Sequence, residues 1–345
     1  MKVDPYDLMD FVASAFGAVG VPEDEAEIAA KAVVEGDLRG FHSHGVMRLP
    51  GYLEGIERGA IRRESKVEKV SIGEAVETWE AHRSLGHVVG TRAADRAVEL
   101  ASEYGIGVVA VRRSSHFGIA GYYATLIAEA DMVGFVTCGT EPAVAPYGGS
   151  EAVLGTNPFT VAFPRRDGPP VVIDMATSEV ARGKLLQAAK EGRRIPEGWA
   201  VGPDGEPTTD PEEALRGALL PFGGRKGYLV CLALEILAGP VVGAAAGKDV
   251  RGTTDPTVPC NKGDVFVALD ISSLTGLHGY FEGLERLLAQ IKASGEDVVI
   301  PGEPEFERRV KALMEGLELP EASESALEEV AEKYGLEEEL EALKI

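Results

Sequence analysis

The hydrophobic positions of the chain recur with helical spacing at both ends and switch between helical and strand-like spacing in the middle. Near the N-terminus the pattern predicts helices over residues 4–19, 22–38 and about 46–58. The third helix is entered just before Pro50. Because proline is tolerated only in a first helical turn, His44 is expected on the loop or cap before that helix.

The middle of the chain, from about residue 75 to 295, alternates helix and strand, which predicts an α/β protein. The predicted helices cover 86–104, 119–130, 179–191 and 226–238, and the predicted strands cover 107–112, 133–138, 159–163, 171–174 and 264–269. Charged helices are predicted again over 305–316 and 324–343. At 345 residues the chain exceeds the usual size of one hydrophobic core, so two domains or subdomains are expected.

Charge and composition narrow the function. The chain carries 56 acidic and 34 basic residues, a formal net charge of −22, which argues against nucleic acid or an anionic membrane as partner. The sequence contains neither an apolar run of about 18 residues nor a secretory signal pattern, so a cytoplasmic protein is expected. It has only two Asn and two Gln beside abundant Glu, which favours a thermophilic origin.

The segment 37–49 is the first candidate for chemistry, because it places His42, Ser43, His44 and Arg48 within seven residues. An imidazole can protonate the oxygen that gains charge when a 2-oxo acid is reduced. A guanidinium can bind the carboxylate of the same acid in bidentate geometry. The alternative is a polar loop in which these side chains only cap helix ends.

Three further segments place polar residues where a predicted strand ends, which is where α/β proteins commonly carry their chemistry. The strand 107–112 is followed by Arg112-Arg113-Ser114-Ser115-His116-Phe117-Gly118. Gly155-Thr156-Asn157-Pro158 precedes the strand 159–163. The strand 171–174 runs into Asp174-Met175-Ala176-Thr177-Ser178, with Arg182 and Lys184 shortly after.

Together these motifs resemble the malate/L-lactate dehydrogenase family of the second type, which also includes L-sulfolactate, ureidoglycolate and diketogulonate dehydrogenases. The resemblance covers nearly the whole chain. It continues through Ile195-Pro196-Glu197-Gly198-Trp199, Thr208-Thr209-Asp210-Pro211 and Leu220-Pro221-Phe222-Gly223-Gly224-Arg225-Lys226-Gly227. It implies an NAD(P)-dependent oxidoreductase that acts on the CH–OH group of a 2-hydroxy acid, and a homodimer.

The resemblance also implies an α/β nicotinamide-binding domain that is not a Rossmann domain. This domain is expected over 75–300, with a helical domain built from the N-terminal segment 1–74 and the C-terminal segment 301–345. Gly105-Ile106-Gly107-Val108-Val109-Ala110 fits a dinucleotide fingerprint. It follows a helix and opens a strand, however, which is the reverse of the order that a fingerprint requires.

The cofactor expected from the resemblance is NAD or NADP, with NAD favoured. The residues expected to contact it are His116, Gly118, Thr140, Thr156, Asp174, Met175, Ala176, Thr177, Ser178, Lys226, Gly227, Pro301, Gly302 and Glu303. For the turn at 301–303 the alternative is a plain loop that returns the chain to the first domain. For Asp174 the alternative to a cofactor contact is a hydrogen bond that supports a histidine.

The expected reaction is reversible hydride transfer between nicotinamide and the C2 atom of a 2-oxo acid. His44 is predicted to be the acid in reduction and the base in oxidation, with His116 as the rival. Arg48 is predicted to bind the substrate carboxylate, and Ser43 to orient the substrate or His44. Two positions depart from the family pattern: His42 stands where many members have Asp, and Glu141 follows Thr140 where many have Asn.

The substrate stays open between malate, sulfolactate, lactate, ureidoglycolate and a cyclic imine acid. A dianion such as oxaloacetate or sulfopyruvate is favoured, because Arg112, Arg113, Lys184 and Lys226 gather cations around the motifs of an acidic chain. A distant alternative is a metalloenzyme with His42, His44, His87 and His116 as ligands, although their spacing matches no metal motif. No metal is therefore expected.

Overall fold

The structure is a computed structural model that describes the backbone of residues 1–345 and every side chain except that of Ile72. The helices are α1 Pro5–Ala18, α2 Glu23–Leu38, α3 Leu49–Glu57, α4 Gly86–Tyr104, α5 Ala120–Ala128, α6 Arg182–Lys190, α7 Pro211–Arg216, α8 Arg225–Ile236, α9 Leu277–Lys292, α10 Glu303–Glu315, α11 Glu321–Tyr334 and α12 Glu337–Ala342. The strands are β1 Lys2–Val3, β2 Glu68–Ile72, β3 Val76–Glu80, β4 Ile106–Arg112, β5 Met132–Cys138, β6 Phe159–Phe163, β7 Val171–Met175, β8 Ala200–Val201, β9 Pro207–Thr208, β10 Ala218–Leu219, β11 Gly263–Asp270 and β12 Leu317–Glu318.

A seven-stranded sheet in the order β2-β3-β4-β11-β5-β6-β7 forms the centre of the α/β part. Only β3 and β4 pair in parallel, and the five other neighbouring pairs are antiparallel. A Rossmann domain has a mostly parallel sheet. The predicted α/β class and its departure from the Rossmann arrangement are therefore confirmed.

Helices α4 and α5 lie close against this sheet. A Cβ atom on Gly107 would overlap the backbone carbonyl of Ala97, and one on Gly134 would overlap that of Ala124. Gly105 ends α4 with φ of +82°. The glycines that mimic a dinucleotide fingerprint therefore serve a helix end and a close helix–strand contact.

The helical part has one hydrophobic core built from both ends of the chain. Leu8, Phe16 and Leu49 pack in the same cluster as Leu327 and Val330. Strand β1 pairs with β12, so the two ends also share backbone hydrogen bonds. The fold thus contains the helical unit expected from both termini, while the boundaries 1–74, 75–300 and 301–345 stay a prediction. Strand β2, inside the first of these segments, lies at the edge of the central sheet.

Several elements differ from the predictions. The single helix predicted over 324–343 is wrong, because Gly335 adopts φ of +70° and divides it into α11 and α12. Strands β2 and β3, helix α9 and a small sheet in the order β10-β8-β9 were not predicted. Within the described part of the chain, no helix is both long and apolar enough to cross a membrane.

Candidate active site

The segment that carries His44 consists of two short 3-10 turns between α2 and α3, His42–His44 and Val46–Arg48. The buried carboxylate of Asp37 anchors it at both ends. One oxygen contacts His42 Nδ1 at 2.8 Å, and the other accepts the backbone N–H of Val46 at 2.7 Å. A Cβ atom on Gly45 would overlap this carboxylate, so the turn requires glycine there.

Within this turn, Ser43 contacts both His44 and Arg48. The Ser43 hydroxyl lies 2.9 Å from His44 Nδ1, and Arg48 Nε donates to the Ser43 carbonyl at 2.7 Å. Among the described side chains, no carboxylate lies within 4.0 Å of the Arg48 guanidinium. An unpaired cation therefore stands beside an imidazole on the helix-entry turn that the position of Pro50 predicts.

His116 reaches the same place from the end of β4. Its ring stacks on that of His44, with centroids 5.6 Å apart and planes inclined by 29°. The Tyr52 hydroxyl lies 2.7 Å from His116 Nδ1, and the Gly118 N–H donates to the same nitrogen at 3.2 Å. The two motifs, about seventy residues apart in sequence, thus meet in one cluster.

Burial keeps the histidines of this cluster neutral. Burial, followed by the charge of Arg48, lowers the pKa of His44 to about 4. Burial also lowers the pKa of His116 well below its usual value, again with a smaller effect of Arg48. His87, which packs edge-on against Tyr52, has its pKa lowered to about 3, mainly by burial. All three rings are therefore uncharged at neutral pH.

A cleft of about 300 Å3 lies between the start of α5, the end of β7 and the start of α10. Four of the predicted cofactor residues line it: Asp174, Met175, Pro301 and Gly302. Asp174 accepts hydrogen bonds from Gly121 N at 2.9 Å and Thr160 Oγ1 at 2.7 Å. No histidine is among the described hydrogen-bond partners of Asp174, so the structure does not support the alternative in which Asp174 bonds a histidine.

A second group of predicted cofactor residues surrounds Asn157. The Thr140 hydroxyl accepts from Thr156 N at 2.8 Å, and the Thr177 hydroxyl donates to the Asn157 carbonyl at 2.9 Å. Asn157 itself accepts from Thr140 N at 2.9 Å and donates to Glu235 at 2.6 Å. This rare amide is therefore a structural residue that ties the loops together.

The other predicted cofactor residues lie apart from the cleft. The Ser178 hydroxyl donates to the Val180 carbonyl at 2.8 Å, and Ala176 is exposed between the two groups. Lys226 is exposed in the first turn of α8, next to the buried Gly227. Glu303 is not among the described residues that line the cleft, and its carboxylate pairs with Arg165 and Lys292.

The cations that the sequence places before His116 are already paired. Arg112 Nε lies 3.0 Å from the buried carboxylate of Glu80, and Arg113 reaches the same carboxylate at 2.6 Å. The prediction that this arginine pair adds free positive charge to the site is therefore wrong. Glu141, the second departure from the family pattern, accepts from the Thr253 N–H at 3.1 Å and so connects two loops.

Comparison with known proteins agrees with this geometry. The model of the malate/L-lactate dehydrogenase family matches residues 3–328. The chain belongs to this family.

The relatives of this dehydrogenase-family chain cover it almost completely. It is 42% identical to the malate/(S)-sulfolactate dehydrogenase of Methanothermus fervidus, over 98% of this chain and 99% of that one. The solved structure of the sulfolactate dehydrogenase from Methanocaldococcus jannaschii superposes with a TM-score of 0.92 at 40% identity, over 97% and 98% of the two chains. A Delta(1)-pyrroline-2-carboxylate reductase of Burkholderia ambifaria is 32% identical over 88% of this chain and 89% of its own.

Four residues of this family member escaped the sequence analysis. Asp37 and Tyr52 read as ordinary helix residues, although Tyr52 lies four positions after Arg48 and so on the same side of α3. Lys262 and Asp264 form a buried ion pair at the start of β11, and the Lys262 ammonium lies 4.5 Å from the centre of the Phe117 ring. The sequence signal for this pair was Lys262 and Asp264 on either side of Gly263, just before an apolar strand.

The histidines of this family member are not arranged around a common point for a metal. The Nδ1 atom of His42 contacts Asp37, and that of His116 contacts Tyr52. Across the described residues, no group of three or more His, Cys, Asp and Glu side chains is placed to hold a metal ion. The cluster therefore provides no geometric support for the metalloenzyme alternative.

Proposed function

We propose that the chain is an NAD(P)-dependent dehydrogenase that interconverts a 2-hydroxy acid and a 2-oxo acid. The observation that carries this proposal is the meeting of His44 and His116 beside Arg48, whose guanidinium has no carboxylate partner among the residues described. An uncompensated guanidinium next to neutral imidazoles suits an anionic substrate whose oxygen gains or loses a proton.

His44 is the proposed proton carrier. Its Nδ1 faces the Ser43 hydroxyl, so Nε2 is the nitrogen left for the substrate. During oxidation, neutral His44 accepts the proton of the C2 hydroxyl at Nε2, and during reduction it returns this proton to the carbonyl oxygen. Arg48 pairs with the substrate carboxylate and fixes the C2 atom. When bound, nicotinamide supplies the two-electron hydride chemistry.

The low pKa of His44 gives the two directions different pH dependences. With a pKa of about 4 in the ligand-free protein, His44 is ready to act as a base at neutral pH. Reduction requires the protonated ring, so the proton must be bound together with the anionic oxo acid, whose charge raises the pKa of His44. We therefore expect reduction to gain in kcat/KM as the pH falls.

The cleft beside Asp174 fits part of a nicotinamide cofactor. Its lining combines the Pro301–Gly302 turn with Gly121, where a Cβ atom would lie 2.5 Å from the Asp174 carboxylate. Its acidic lining, which includes Glu305, favours NAD, because a 2′-phosphate there would be repelled. The nearby cation, Arg39, is already paired with Glu35 at 2.9 Å. Thr140, Thr156, Thr177, Ser178, Lys226 and Gly227 remain proposed contacts for the rest of the cofactor.

We propose a dianionic substrate, namely malate or sulfolactate as the hydroxy acid, because relatives that cover almost the whole chain carry these names. The test is oxidation of NADH and NADPH with oxaloacetate, sulfopyruvate, pyruvate, 2-oxoglutarate and Δ1-pyrroline-2-carboxylate. We expect the highest kcat/KM with NADH as the cofactor and either oxaloacetate or sulfopyruvate as the substrate. Turnover of the cyclic imine alone would favour the second candidate, an imine-acid reductase, and no turnover with any of these compounds would reject the proposal.

We also propose that the chain forms a homodimer and comes from a thermophile. The first rests on the family resemblance, and the second on a sequence with two Asn and two Gln in 345 residues. Light scattering during size-exclusion chromatography tests the dimer. A thermal unfolding midpoint in the range of ordinary mesophilic domains, about 45–65 °C, would contradict the thermophilic origin.

A further inference from the structure

The contacts of His116 determine which of its nitrogens carries the ring proton. Nδ1 lies 3.2 Å from the Gly118 nitrogen and 2.7 Å from the Tyr52 oxygen. A backbone N–H can only donate, so Nδ1 must be the acceptor and cannot carry a proton. In the neutral ring the proton is therefore on Nε2.

The Tyr52 hydroxyl is the second donor to Nδ1 of His116. The Tyr52 side chain is fully buried, and burial raises the pKa of the phenol to about 12, so the hydroxyl keeps its proton. The ring rests edge-on against His87 with centroids 4.9 Å apart. Among the described groups, neither nitrogen of His87 has a hydrogen-bond partner, so His87 does not compete for the Tyr52 hydroxyl.

Helix α3, which carries Tyr52, packs against the loop that contains Pro256. Gly51 and Gly55, one helical turn apart on α3, face Pro256, and a Cβ atom on either glycine would collide with that residue. The loop with Pro256 is joined to the Thr140–Glu141 segment through the Thr253–Glu141 hydrogen bonds. The position of the phenol is thus fixed by packing as well as by its hydrogen bond.

We propose that Tyr52, together with the Gly118 N–H, locks His116 in its Nε2–H tautomer, so that His116 is a fixed hydrogen-bond donor to the substrate oxygen and His44 alone carries the proton. This inference rests on the proposed dehydrogenase function and deepens it. Tyr52 is a positioning residue, because it acts through His116.

The chemistry of the two rings supports this division. The Nε2 atom of the locked His116 already holds a hydrogen, so it cannot accept the proton of a substrate hydroxyl. Giving that hydrogen away would leave an imidazolate, which is too basic to form here. The Ser43 hydroxyl beside His44 Nδ1 can donate or accept, so His44 can take up a proton at Nε2 and release it again.

The direct test is nitrogen NMR of the full-length protein labelled with 15N-histidine, with the His116 signals assigned by their loss in His116→Gln. We expect Nε2 of His116 to be protonated and Nδ1 to be unprotonated in the wild type. Tyr52→Phe removes the shorter contact of 2.7 Å and leaves only the Gly118 N–H at 3.2 Å, which holds the ring less firmly, so the Nδ1–H tautomer should become detectable. The control Tyr123→Phe also removes a buried hydroxyl, one that donates to the Phe117 carbonyl, and should leave the tautomer unchanged. A wild-type ring protonated at Nδ1, or an unchanged tautomer in Tyr52→Phe, would overturn the inference.

Kinetics with the best substrate of the screen supply a second readout. A glutamine at position 116 can donate an N–H but cannot titrate, so His116→Gln should retain most of the activity that His116→Ala loses, a loss of about 100-fold. The pH dependence assigned to His44 should persist in His116→Gln. Loss of that dependence would overturn the inference. Since the NMR result does not require turnover, a locked His116 in a protein without dehydrogenase activity would reject only the proposed function.

Discussion

Two segments of the molecule each bring histidine and arginine to the same region. Among the described residues, only one of them has an arginine whose positive charge is not paired with a carboxylate. In the turn that ends at Arg48, the guanidinium contacts a backbone carbonyl and has no carboxylate partner within the described structure. At the end of β4, Arg112 and Arg113 share the buried carboxylate of Glu80. The two local sequences carry similar positive charge, but the surrounding structure, as far as it is described, leaves the first guanidinium without a carboxylate partner and neutralises the other two.

The difference shows that a buried acid elsewhere in the sequence decides whether an arginine is free. Glu80 is on β3, more than thirty residues before the arginines that it neutralises. At the other turn, the carboxylate of Asp37 instead contacts His42 and the Val46 N–H. Substrate recognition is therefore expected at Arg48, and structural support at Arg112 and Arg113.

The largest effect is expected for His44→Ala. Loss of the proton carrier should lower kcat by about 100-fold or more, the usual scale for a lost acid or base. NADH binding, followed by fluorescence titration, should be nearly unchanged. His278→Ala, which removes an exposed histidine on α9, is the matched control. Near-normal turnover of His44→Ala would make His116 the proton carrier.

Arg48→Lys is expected to have the next largest effect. A point-charge ammonium does not reproduce a bidentate guanidinium, so kcat/KM for the oxo acid should fall by roughly tenfold to a hundredfold. The KM for NADH should change little. Arg112→Lys is the control, because its guanidinium is already paired with Glu80. Equal losses for both ligands would show that Arg48 supports the fold or the cofactor instead.

Glu80→Gln removes the charge that distinguishes the two segments. Two guanidinium groups then lose their shared partner, and the free energy of unfolding should fall by about 1–3 kcal/mol in urea titrations. The KM for the oxo acid should stay the same, because we expect the substrate carboxylate to bind at Arg48. Glu68→Gln, at an exposed carboxylate paired with His82, is the control. A lower KM in Glu80→Gln would show that freed arginines can bind the substrate.

The smallest effect concerns pH and the buried His87. Its pKa is about 3 when folded and near 6.5 when unfolded, so protons bind preferentially to the unfolded chain as the pH falls below about 6.5. This residue alone should lower the free energy of unfolding by about 0.7 kcal/mol between pH 7 and pH 6. His87→Phe should make that loss smaller, and the exposed His278→Ala should not. An identical pH dependence in wild type and His87→Phe would contradict the buried neutral ring.

Much of the fold was predictable because most elements follow simple periodicity. The predicted strand 107–112 differs from β4 by one residue, and the helix 86–104 matches α4. Strands β2 and β3 were missed because pattern rules treat charged residues as exposed. Glu77 and Glu80 are buried in β3, where arginines from outside this strand pair with them. This pairing depends on tertiary structure and leaves no local signal.

The main chemical groups of the site could be predicted from the sequence. His44, Arg48 and His116 stand out because imidazole and guanidinium groups are rare neighbours in an acidic chain, and the structure brings them together. Tyr52 was not predictable, because a tyrosine at a buried helix position looks like any other core residue. Its contact with His116, 64 positions away, exists only once α3 and β4 have been assembled.

The shared core of the two chain ends has a consequence for synthesis on the ribosome. Most N-terminal residues of this core lie at or before Ile61, and Leu85 and Val88 are added from the start of α4. The C-terminal contribution begins at Ala312, roughly 250 residues after Ile61. At about 5–20 residues per second, the first three helices wait roughly 10–50 s for the partners that cover them. The sheet, whose strands lie between these points, can assemble earlier. The helical unit that carries Tyr52, together with the adjoining turn of His44, is therefore completed last. During this interval the apolar faces of its helices need protection from aggregation.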